Sequence, residues 1–200
     1  KAKNDTLAKN DTLGAEFRTA NGRIVYEGHG IQPDVKIEPE MLSTITAHLY
    51  AQNMIFKYAN KFYREHKTIA SPDKFEITDE IYNDFVKFVE SQDFKYTSES
   101  EKDFEELVKT AKTEGYYDNI KEQLDLLEEE LKSHKDNDLV NNKKEISDIL
   151  KMEIVSRYYF QKGRIISALN DDTELKRAVE ILLNSNGKNE YETILKGINN

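Results

Sequence analysis

The spacing of apolar residues changes once along this chain, near residue 40. In residues 15–38, apolar and polar positions alternate over short runs that Gly and Pro interrupt, which predicts two or three short β-strands. After residue 40, apolar residues recur every three or four positions, as in helices that bury one face and solvate the other. The pattern predicts a mainly α protein, a bundle of six or seven helices preceded by a short β segment.

Local signals set the limits of the first predicted helices. One apolar helical face runs through residues 41–65. Thr78 can cap a second helix that continues to about Glu90, because its hydroxyl can accept a backbone N–H of the first turn. Ser98 followed by Glu101 matches a capping box, which predicts a third helix start.

The second half of the chain continues the helical pattern. A long helix is predicted from about Val140 to Leu169, Asp172 can cap the next one, and Asn186-Gly187 is typical of a helix end. Two helical subdomains divided near residues 114–118 are an alternative to a single bundle. Before the long helix, a narrow apolar stripe recurs with heptad-like spacing: Ile120, Leu124, Leu127 and Leu131.

These patterns divide the chain into three parts. Residues 1–14 contain the tandem repeat AKNDTL and are predicted to form a solvated loop, since two copies of six residues are too short for a solenoid. Residues 15–38 are the strand segment, and residues 39–200 are the helical domain.

Charge and composition exclude several kinds of function. With 38 acidic and 29 basic residues, the chain has a net charge of −9, which disfavours binding to nucleic acid or to an anionic membrane surface. It has no Cys, so it lacks a disulfide, a thiol nucleophile and a thiolate metal site. No apolar run approaches the roughly 18 residues of a membrane span. We therefore expect no nucleic-acid partner and no membrane contact.

Two short motifs match part of a known site pattern without completing it. In Gly28-x-Gly30-x-x-Pro33, proline replaces the third glycine of a dinucleotide fingerprint and no helix follows, so we expect no cofactor. Ser71 and Lys74 have the S-x-x-K spacing of some serine hydrolases. They flank a proline in a predicted loop, which favours a chance match.

The remaining polar clusters are predicted to be structural. Arg157, Gln161 and Arg164 share one face of a predicted helix and could clamp a phosphate or a carboxylate. We interpret these arginines instead as partners of acidic side chains, and Gly163 as the mark of a close helix crossing or a kink. No two histidines are spaced i, i+4, so no helical metal site is expected. The histidines are His29, His48, His66 and His134.

Residues 16–35, EFRTANGRIVYEGHGIQPDV, carry a more specific pattern. This segment resembles the strands that follow the catalytic lysine in the C-terminal processing peptidases, the tail-specific serine proteases of peptidase family S41. Helical stretches such as residues 77–90 are similar to the helical C-terminal extension of these proteases. The family usually has a small residue where His29 stands. The matching positions have structural rather than catalytic roles, and they are Phe17, Thr19, Gly22, Arg23, Gly28, Gly30, Pro33 and Asp34.

The resemblance implies a function and its setting. Residues 15–38 would be the terminal strands of a protease core. Residues 39–200 would be a helical domain that scaffolds the core, mediates self-association as a homodimer, or shapes substrate access. The parent enzyme would use a Ser-Lys pair to cleave proteins of the periplasm or cell envelope from their C-termini. Its partners would be its own upstream protease and PDZ domains and its protein substrates.

The resemblance also places the catalytic serine and lysine upstream of this chain, which would make the chain inactive alone. The first residues contain no initiator Met and no signal sequence, so we expect a piece of a longer polypeptide. No catalytic residue, cofactor or metal ligand is assigned within the 200 residues. An alternative is an independent acidic helical interaction module with no protease core, whose partner surface is the apolar stripe at residues 120–131. A third interpretation, an enzyme in its own right, lacks a converging acid–base or metal set.

Overall fold

A computed structural model of the protein describes residues 15–20, 22–27, 33–39, 41–183 and 185–196, without the side chains of residues 185–188 and 196. In this part of the chain an antiparallel β-hairpin precedes nine helices. The described residues form two compact units, one within residues 40–170 and one from the residues before and after it. The elements are β1 Glu16–Arg18, β2 Ile24–Tyr26, α1 Thr44–Ala51, α2 Met54–Glu65, α3 Asp79–Ser91, α4 Glu99–Glu114, α5 Tyr117–Asp136, α6 Asp138–Asn141, α7 Lys143–Ala168, α8 Thr173–Leu183 and α9 Ser185–Lys196.

Three helices begin at the predicted capping residues. The Thr78 hydroxyl accepts a first-turn N–H of α3 at 3.3 Å. At α4, the Ser98 hydroxyl accepts the Glu101 N–H at 3.1 Å, and the Glu101 carboxylate accepts the Ser98 N–H at 2.7 Å. The Asp172 carboxylate accepts a first-turn N–H of α8 at 2.8 Å. Each contact satisfies a backbone donor that has no partner inside the helix, and all three predictions are confirmed.

Two predicted helix boundaries are wrong. Residues 41–65 do not form one helix, because Asn53 adopts a left-handed conformation (φ 60°) between α1 and α2. Asn186-Gly187 does not end a helix, since α8 ends at Leu183 and both residues lie in the first turn of α9. Asn and Gly tolerate both left-handed and helical backbone, so their identity alone does not decide where a helix stops.

The core of the 40–170 unit forms where α2 packs along α7, with α1 and α3 against α2. Tyr58 of α2 meets Phe85 of α3 edge-on, with 5.2 Å between ring centroids. Its hydroxyl donates to the Asp84 carboxylate at 2.9 Å. Burial, with the help of this carboxylate, raises the pKa of Tyr58. Fully burying a large apolar side chain contributes about 1.5–3 kcal/mol, so this seam holds the unit together. The buried residues are Ile45, Leu49, Met54, Ile55, Tyr58, Ala59, Phe62, Phe75, Tyr82, Phe85, Val89, Ile146, Leu150, Ile154 and Val155.

Helix α7 is bent at Phe160, whose backbone has φ 55° and ψ −159°. This conformation is almost restricted to glycine and costs another residue about 1–3 kcal/mol. Gly163 follows within one turn, and a Cβ built there would overlap the Tyr159 Cβ and lie 3.2 Å from Val155 Cγ1. In a regular helix, Cβ atoms four residues apart are about 5–6 Å from each other, so the overlap comes from the bend. Of the two alternatives for Gly163, a close helix crossing or a kink, the structure shows a kink, which lies three residues earlier at Phe160.

Helices α4 and α5 form a hairpin. Gly115 ends α4 with a left-handed backbone (φ 77°), which glycine adopts without a Cβ penalty, and α5 begins two residues later. The two helices pack mainly against each other. The division considered near residues 114–118 is therefore a tight turn between two packed helices.

The predicted fold class, mainly helical with a short β segment at the start, is confirmed. The AKNDTL repeats of residues 1–14 and the Gly28-His29-Gly30 stretch lie outside the described residues. Among the helices that the structure describes, none has the length and apolar character needed to cross a bilayer.

Candidate functional site

Ser71 and Lys74 lie in a tight turn rather than on one helical face. The Ser71 carbonyl accepts the backbone N–H groups of Lys74 and Phe75, both at 2.9 Å. The Ser71 hydroxyl bonds to Asp73, which lowers the pKa of that carboxyl. Ser71 therefore bonds to a carboxylate whose lowered pKa makes it a poor base for activating a nucleophile.

The described histidines lie in three separate places. The His48 ring of α1 is half-buried, with its centroid 5.4 Å from that of Tyr96. His66, at the end of α2, stacks on Phe62 at 4.0 Å, and His134 is exposed on α5. Within the described ranges, no group of three or more His, Cys, Asp or Glu residues is arranged to hold a metal ion.

Arg157 is engaged inside the protein rather than presented to a ligand. Its guanidinium lies 2.8 Å from the Glu153 carboxylate and 2.8 Å from the Asn60 side-chain oxygen. The same group lies 4.7 Å from the centroid of the Phe56 ring. The interpretation of Arg157 as the partner of an acid is confirmed. The bend at Phe160 also breaks the regular i, i+4, i+7 spacing that the alternative, an anion clamp, would need.

Four of the family-motif positions are linked around the β-hairpin. The Thr19 carbonyl accepts the Gly22 N–H at 2.8 Å, and the Thr19 hydroxyl accepts the Arg23 N–H at 3.1 Å. Gly22 has φ 82°, a conformation that favours glycine. The Arg23 guanidinium binds the Asp34 carboxylate. These positions therefore fix the turn and tie the segment after the hairpin back to it.

The same hairpin leaves apolar side chains exposed on both faces. Phe17 pairs with Val25 across the strands, and Phe17 is 54% exposed. Ile24 and Tyr26, which point to the other face, are exposed as well. Pro33, after the hairpin, is also exposed. Because an isolated two-stranded hairpin is only marginally stable in water, these strands have the character of a sheet edge.

A groove of about 400 Å³ runs between α4 and α5, and we call it the α4–α5 groove. Two packed helices cover only one side of their apolar seam, so the rest of the seam stays partly open to solvent. Phe104 and Val108 of α4 and Leu124 and Leu131 of α5 contribute the aliphatic and phenyl lining, and of these only Leu124 is fully buried. The remaining lining residues are Glu101, Glu105, Lys112, Tyr117, Asp125, Glu128 and Lys132.

The predicted apolar stripe accounts for part of the α5 side of this groove. Leu124 and Leu131 line it, whereas Ile120 does not and is half-buried. Leu127 is 44% exposed and also lies outside the lining. For the α4 side of the groove, the sequence predicts only that these residues share one face of a helix. The groove itself depends on how tightly the turn after α4 brings the two helices together.

Lys135 fixes the base of the α4–α5 hairpin. Its ammonium lies 2.8 Å from both carboxylate oxygens of Glu101, donates to the Tyr96 carbonyl, and lies 4.7 Å from the centroid of the Tyr96 ring. The Tyr96 hydroxyl donates to Asp138. Burial, together with this carboxylate, raises the pKa of Tyr96. Burial opposes ionisation of Glu101, but the bonds from Lys135 and the capping contact outweigh it and lower the pKa of Glu101.

Sequence reasoning missed this anchor. Its partners are 34 to 42 residues apart in the chain, and no local pattern joins them. The one available signal is Lys135 itself, since a basic residue in the last turn of a helix interacts favourably with the helix dipole.

Comparison with known protein families gives a match to the helical part of the chain. Residues 45–182 match the family model described as the C-terminal helical domain of a probable PDZ-protease. The matched range covers more than half of the chain and extends from α1 into α8. No curated protein and no solved structure matches the chain. The chain belongs to the family of C-terminal helical domains of probable PDZ-proteases.

Proposed function

We propose that this chain is the C-terminal region of a periplasmic serine peptidase of family S41, which cleaves proteins from their C-termini. The observation that carries the proposal is the order of two signals along the chain. A segment that resembles the strand motif of that family, residues 16–35, precedes a helical domain of the PDZ-protease family, residues 45–182.

The β-hairpin supports this proposal. In the part of the chain that the structure describes, the hairpin pairs with no third strand, and its exposed apolar side chains suit two strands that complete a larger sheet. The contact between Arg23 and Asp34 would then fasten the segment that leaves that sheet to the hairpin. On this proposal the missing strands belong to the protease core of the same polypeptide.

The helical domain acts, in this proposal, as a non-catalytic part of the enzyme. The catalytic serine and lysine belong to the protease core, and the helical domain shapes substrate access or self-association. Ser71, held against Asp73 in a turn, has no catalytic role.

A peptidase assay with two proteins tests the proposal. The whole polypeptide encoded by the gene and the present chain are each incubated with a reporter protein that ends in a flexible apolar tail. Mass spectrometry then maps any cleavage. We expect the whole polypeptide to shorten the reporter from its C-terminus and to react with a serine-directed covalent probe, and the present chain to do neither.

Ser71→Ala in both proteins is the matched control, and we expect it to leave every result unchanged. Cleavage by the present chain that disappears with Ser71→Ala would refute the proposal. So would a whole polypeptide whose activity resists the serine-directed probe.

A further inference from the structure

A basic surface forms where the second half of α2 lies beside the end of α7. Residues 56–67 and 153–169 contain seven basic and two acidic side chains, a net charge of +5 within a chain whose net charge is −9. The same two stretches contain seven Phe and Tyr residues. Aromatic and arginine side chains are enriched in protein–protein interfaces, so this surface is a candidate for one.

The two acids of these stretches are already paired within the chain. Glu65 pairs with Lys61 at 3.0 Å, and Glu153 pairs with Arg157 at 2.8 Å. Five exposed cations remain, and within the described ranges none of them pairs with a carboxylate: Lys57, Arg64, Lys67, Lys162 and Arg164. The surface therefore keeps a positive charge that attracts an acidic partner.

Two of these cations lie next to a contact between the two helices. The Arg157 guanidinium donates to the Asn60 side-chain oxygen at 2.8 Å. Lys57 and Arg64 are three and four residues from Asn60 on α2, and residues at these spacings are neighbours on a helix surface. The positive charge of α2 thus lies along its border with α7.

A third cation lies just after the end of α2. The Tyr158 hydroxyl donates to the His66 carbonyl at 2.7 Å, and the Tyr159 hydroxyl donates to the Ile69 carbonyl at 3.3 Å. These bonds hold the segment after α2 against α7. Lys67, which is exposed between the two carbonyls, is therefore at the same border.

The bend in α7 adds the last two cations. A Cβ built at Gly163 would overlap the Tyr159 Cβ, so the backbone at Gly163 lies against Tyr159. Lys162 and Arg164 flank Gly163 and are exposed. The bend therefore places both cations beside Tyr159, which contacts the segment after α2.

Exposed aromatic rings lie among these cations. The Phe56 ring is half exposed, with the Arg157 guanidinium 4.7 Å from its centroid. The Tyr63 ring is also half exposed and meets Tyr158 edge-on, with 4.8 Å between centroids. Phe160 is largely exposed. We call the Phe56, Tyr63 and Phe160 rings, with the five unpaired cations, the basic aromatic surface.

Backbone strain holds one of these rings in solvent. Phe160 has φ 55° and ψ −159°, a conformation that residues other than glycine rarely adopt. Its ring gains little packing in return, because most of it stays exposed. Strained residues of this kind are concentrated at functional sites, which favours a binding role for the ring.

We propose that the basic aromatic surface binds an acidic segment of a partner protein, in which apolar side chains lie between the carboxylates. The carboxylates would pair with cations such as Arg64 and Arg164, and the apolar side chains would cover Tyr63 and Phe160.

The charge of the remaining chain favours a short acidic segment over an extended polyanion. Outside the two basic stretches the chain has a net charge of −14. A nucleic acid or an anionic membrane extends beyond the basic aromatic surface and meets this repulsion, whereas a short segment does not. The inference does not depend on the proposed peptidase function, because binding is measured with the present chain and requires no turnover.

The test measures fluorescence anisotropy of labelled 14-residue peptides with the 200-residue protein. The first probe is a peptide of Leu and Glu, with Leu at three-four spacing. A second replaces every Glu by Lys, and a third replaces every Leu by Ser. Sedimentation with phosphatidylglycerol vesicles probes an anionic membrane. We expect the Leu/Glu peptide alone to bind, because it matches both the cations and the rings.

Two double variants locate the site. Arg64→Glu with Arg164→Glu reverses two charges of the basic aromatic surface, whereas Lys87→Glu with Lys176→Glu makes the same charge change at exposed cations of α3 and α8. An exposed ion pair changes affinity by roughly two- to fivefold. We therefore expect the first variant to weaken binding by about tenfold or more and the control by less than about twofold. Circular dichroism verifies that both variants retain their helix content.

Phe160→Gly tests the ring separately from the charge. It removes the exposed ring, and glycine adopts the observed backbone without strain. Leu126→Ala, which shortens an exposed apolar side chain on α5, is the matched control. We expect Phe160→Gly to weaken binding of the Leu/Glu peptide by about fivefold and Leu126→Ala by less than about twofold.

Three results would overturn the inference. Equal weakening by the two double variants would mean diffuse attraction without a defined site. Comparable binding of the Lys or Ser peptide would mean that the surface does not select an acidic segment with apolar side chains. Vesicle sedimentation that Arg64→Glu with Arg164→Glu abolishes would mean that a membrane occupies the surface. The peptide comparison uses the unaltered protein, so it decides the question even for a variant that does not fold.

Discussion

Replacing Gly163 by Ala tests the bend in α7, because the structure predicts a loss of stability whereas helix propensity predicts a gain. In an ordinary helix this change stabilises by about 1 kcal/mol, since Ala has the highest helix propensity and Gly among the lowest. Here Gly163 is buried beside the bend, where an added methyl group would overlap the Tyr159 Cβ and crowd Val155. The overlapping atom is attached directly to the backbone, so no side-chain rotation removes the clash.

The magnitude follows from these contacts. Overpacking a buried position costs about 1–3 kcal/mol even where side chains can shift, and a clash against a Cβ lies at the upper end. After the gain in helix propensity is subtracted, we expect Gly163→Ala to lower the free energy of unfolding by about 2 kcal/mol. For a chain of this size, that corresponds to a fall in Tm of roughly 4–8 °C.

Phe160→Gly tests the same bend from the other side. The Phe160 side chain is 77% exposed, so its removal costs little packing. Glycine adopts the observed φ and ψ without strain, which offsets the extra backbone entropy that glycine loses on folding. We therefore expect Phe160→Gly to leave the free energy of unfolding unchanged or to raise it by about 1 kcal/mol. If this segment were a regular helix, the same change would lower the free energy of unfolding by about 1 kcal/mol.

Urea unfolding followed by far-UV circular dichroism measures both effects. Lys162→Ala is the matched control, because Lys162 is an exposed neighbour on the same helix, and we expect it to change stability by less than about 0.5 kcal/mol. A Gly163→Ala variant as stable as the parent protein, or a Phe160→Gly variant that loses about 1 kcal/mol, would show that α7 is regular at this point.

Three further predictions concern buried polar contacts. Lys151 is 4% exposed and its ammonium lies 2.8 Å from the Glu76 carboxylate. Glu76→Ala leaves this buried charge without its partner and should lower the free energy of unfolding in urea by about 1–3 kcal/mol, whereas Lys151→Met removes the charge and should lower it little or not at all. Equal losses in the two variants would contradict this. Burial raises the pKa of Tyr82 to about 12, so the stability that its neutral phenol contributes is complete below about pH 10 and is lost as the pH rises towards 12. Thermal denaturation of Tyr82→Phe should show a shallower loss over this range, and an unchanged slope would refute the assignment. Lys135→Met should speed hydrogen exchange in α4 and α5 by about tenfold but not in α2 or α7, whereas Lys132→Met, which removes an exposed pair, should do neither.

Local signals in the sequence predict much of this fold because they act within one helical turn. The capping contacts at Thr78, Ser98 and Asp172 need only a side-chain oxygen three residues before a backbone N–H, and all three form. Local signals do not suffice to predict the boundary at Asn53, because a left-handed residue is compatible with either a break between two helices or a bend within one. Packing of α1 and α2 decides that choice, and it involves residues far away in the chain.

Long-range pairs explain what the sequence pattern does not predict. Lys151 lies three residues before the buried Ile154, on a stripe that would otherwise be apolar, and its partner Glu76 is 75 residues away. Lys135 and Glu101 form the anchor of the hairpin in the same way. Each charge appears solvated when the sequence is considered alone, because burial and compensation become visible only when the partner is in place.

The two apolar surfaces of this protein call for different kinds of partner. Among the described residues the β-hairpin pairs with no third strand, and Phe17 and Tyr26 are exposed, so a suitable partner must supply a strand. The α4–α5 groove has its backbone groups satisfied within helices, so a partner there needs to supply only side chains. The protease core proposed above would meet the first requirement without meeting the second. A partner that completes the sheet therefore does not by that also meet the requirement of the groove.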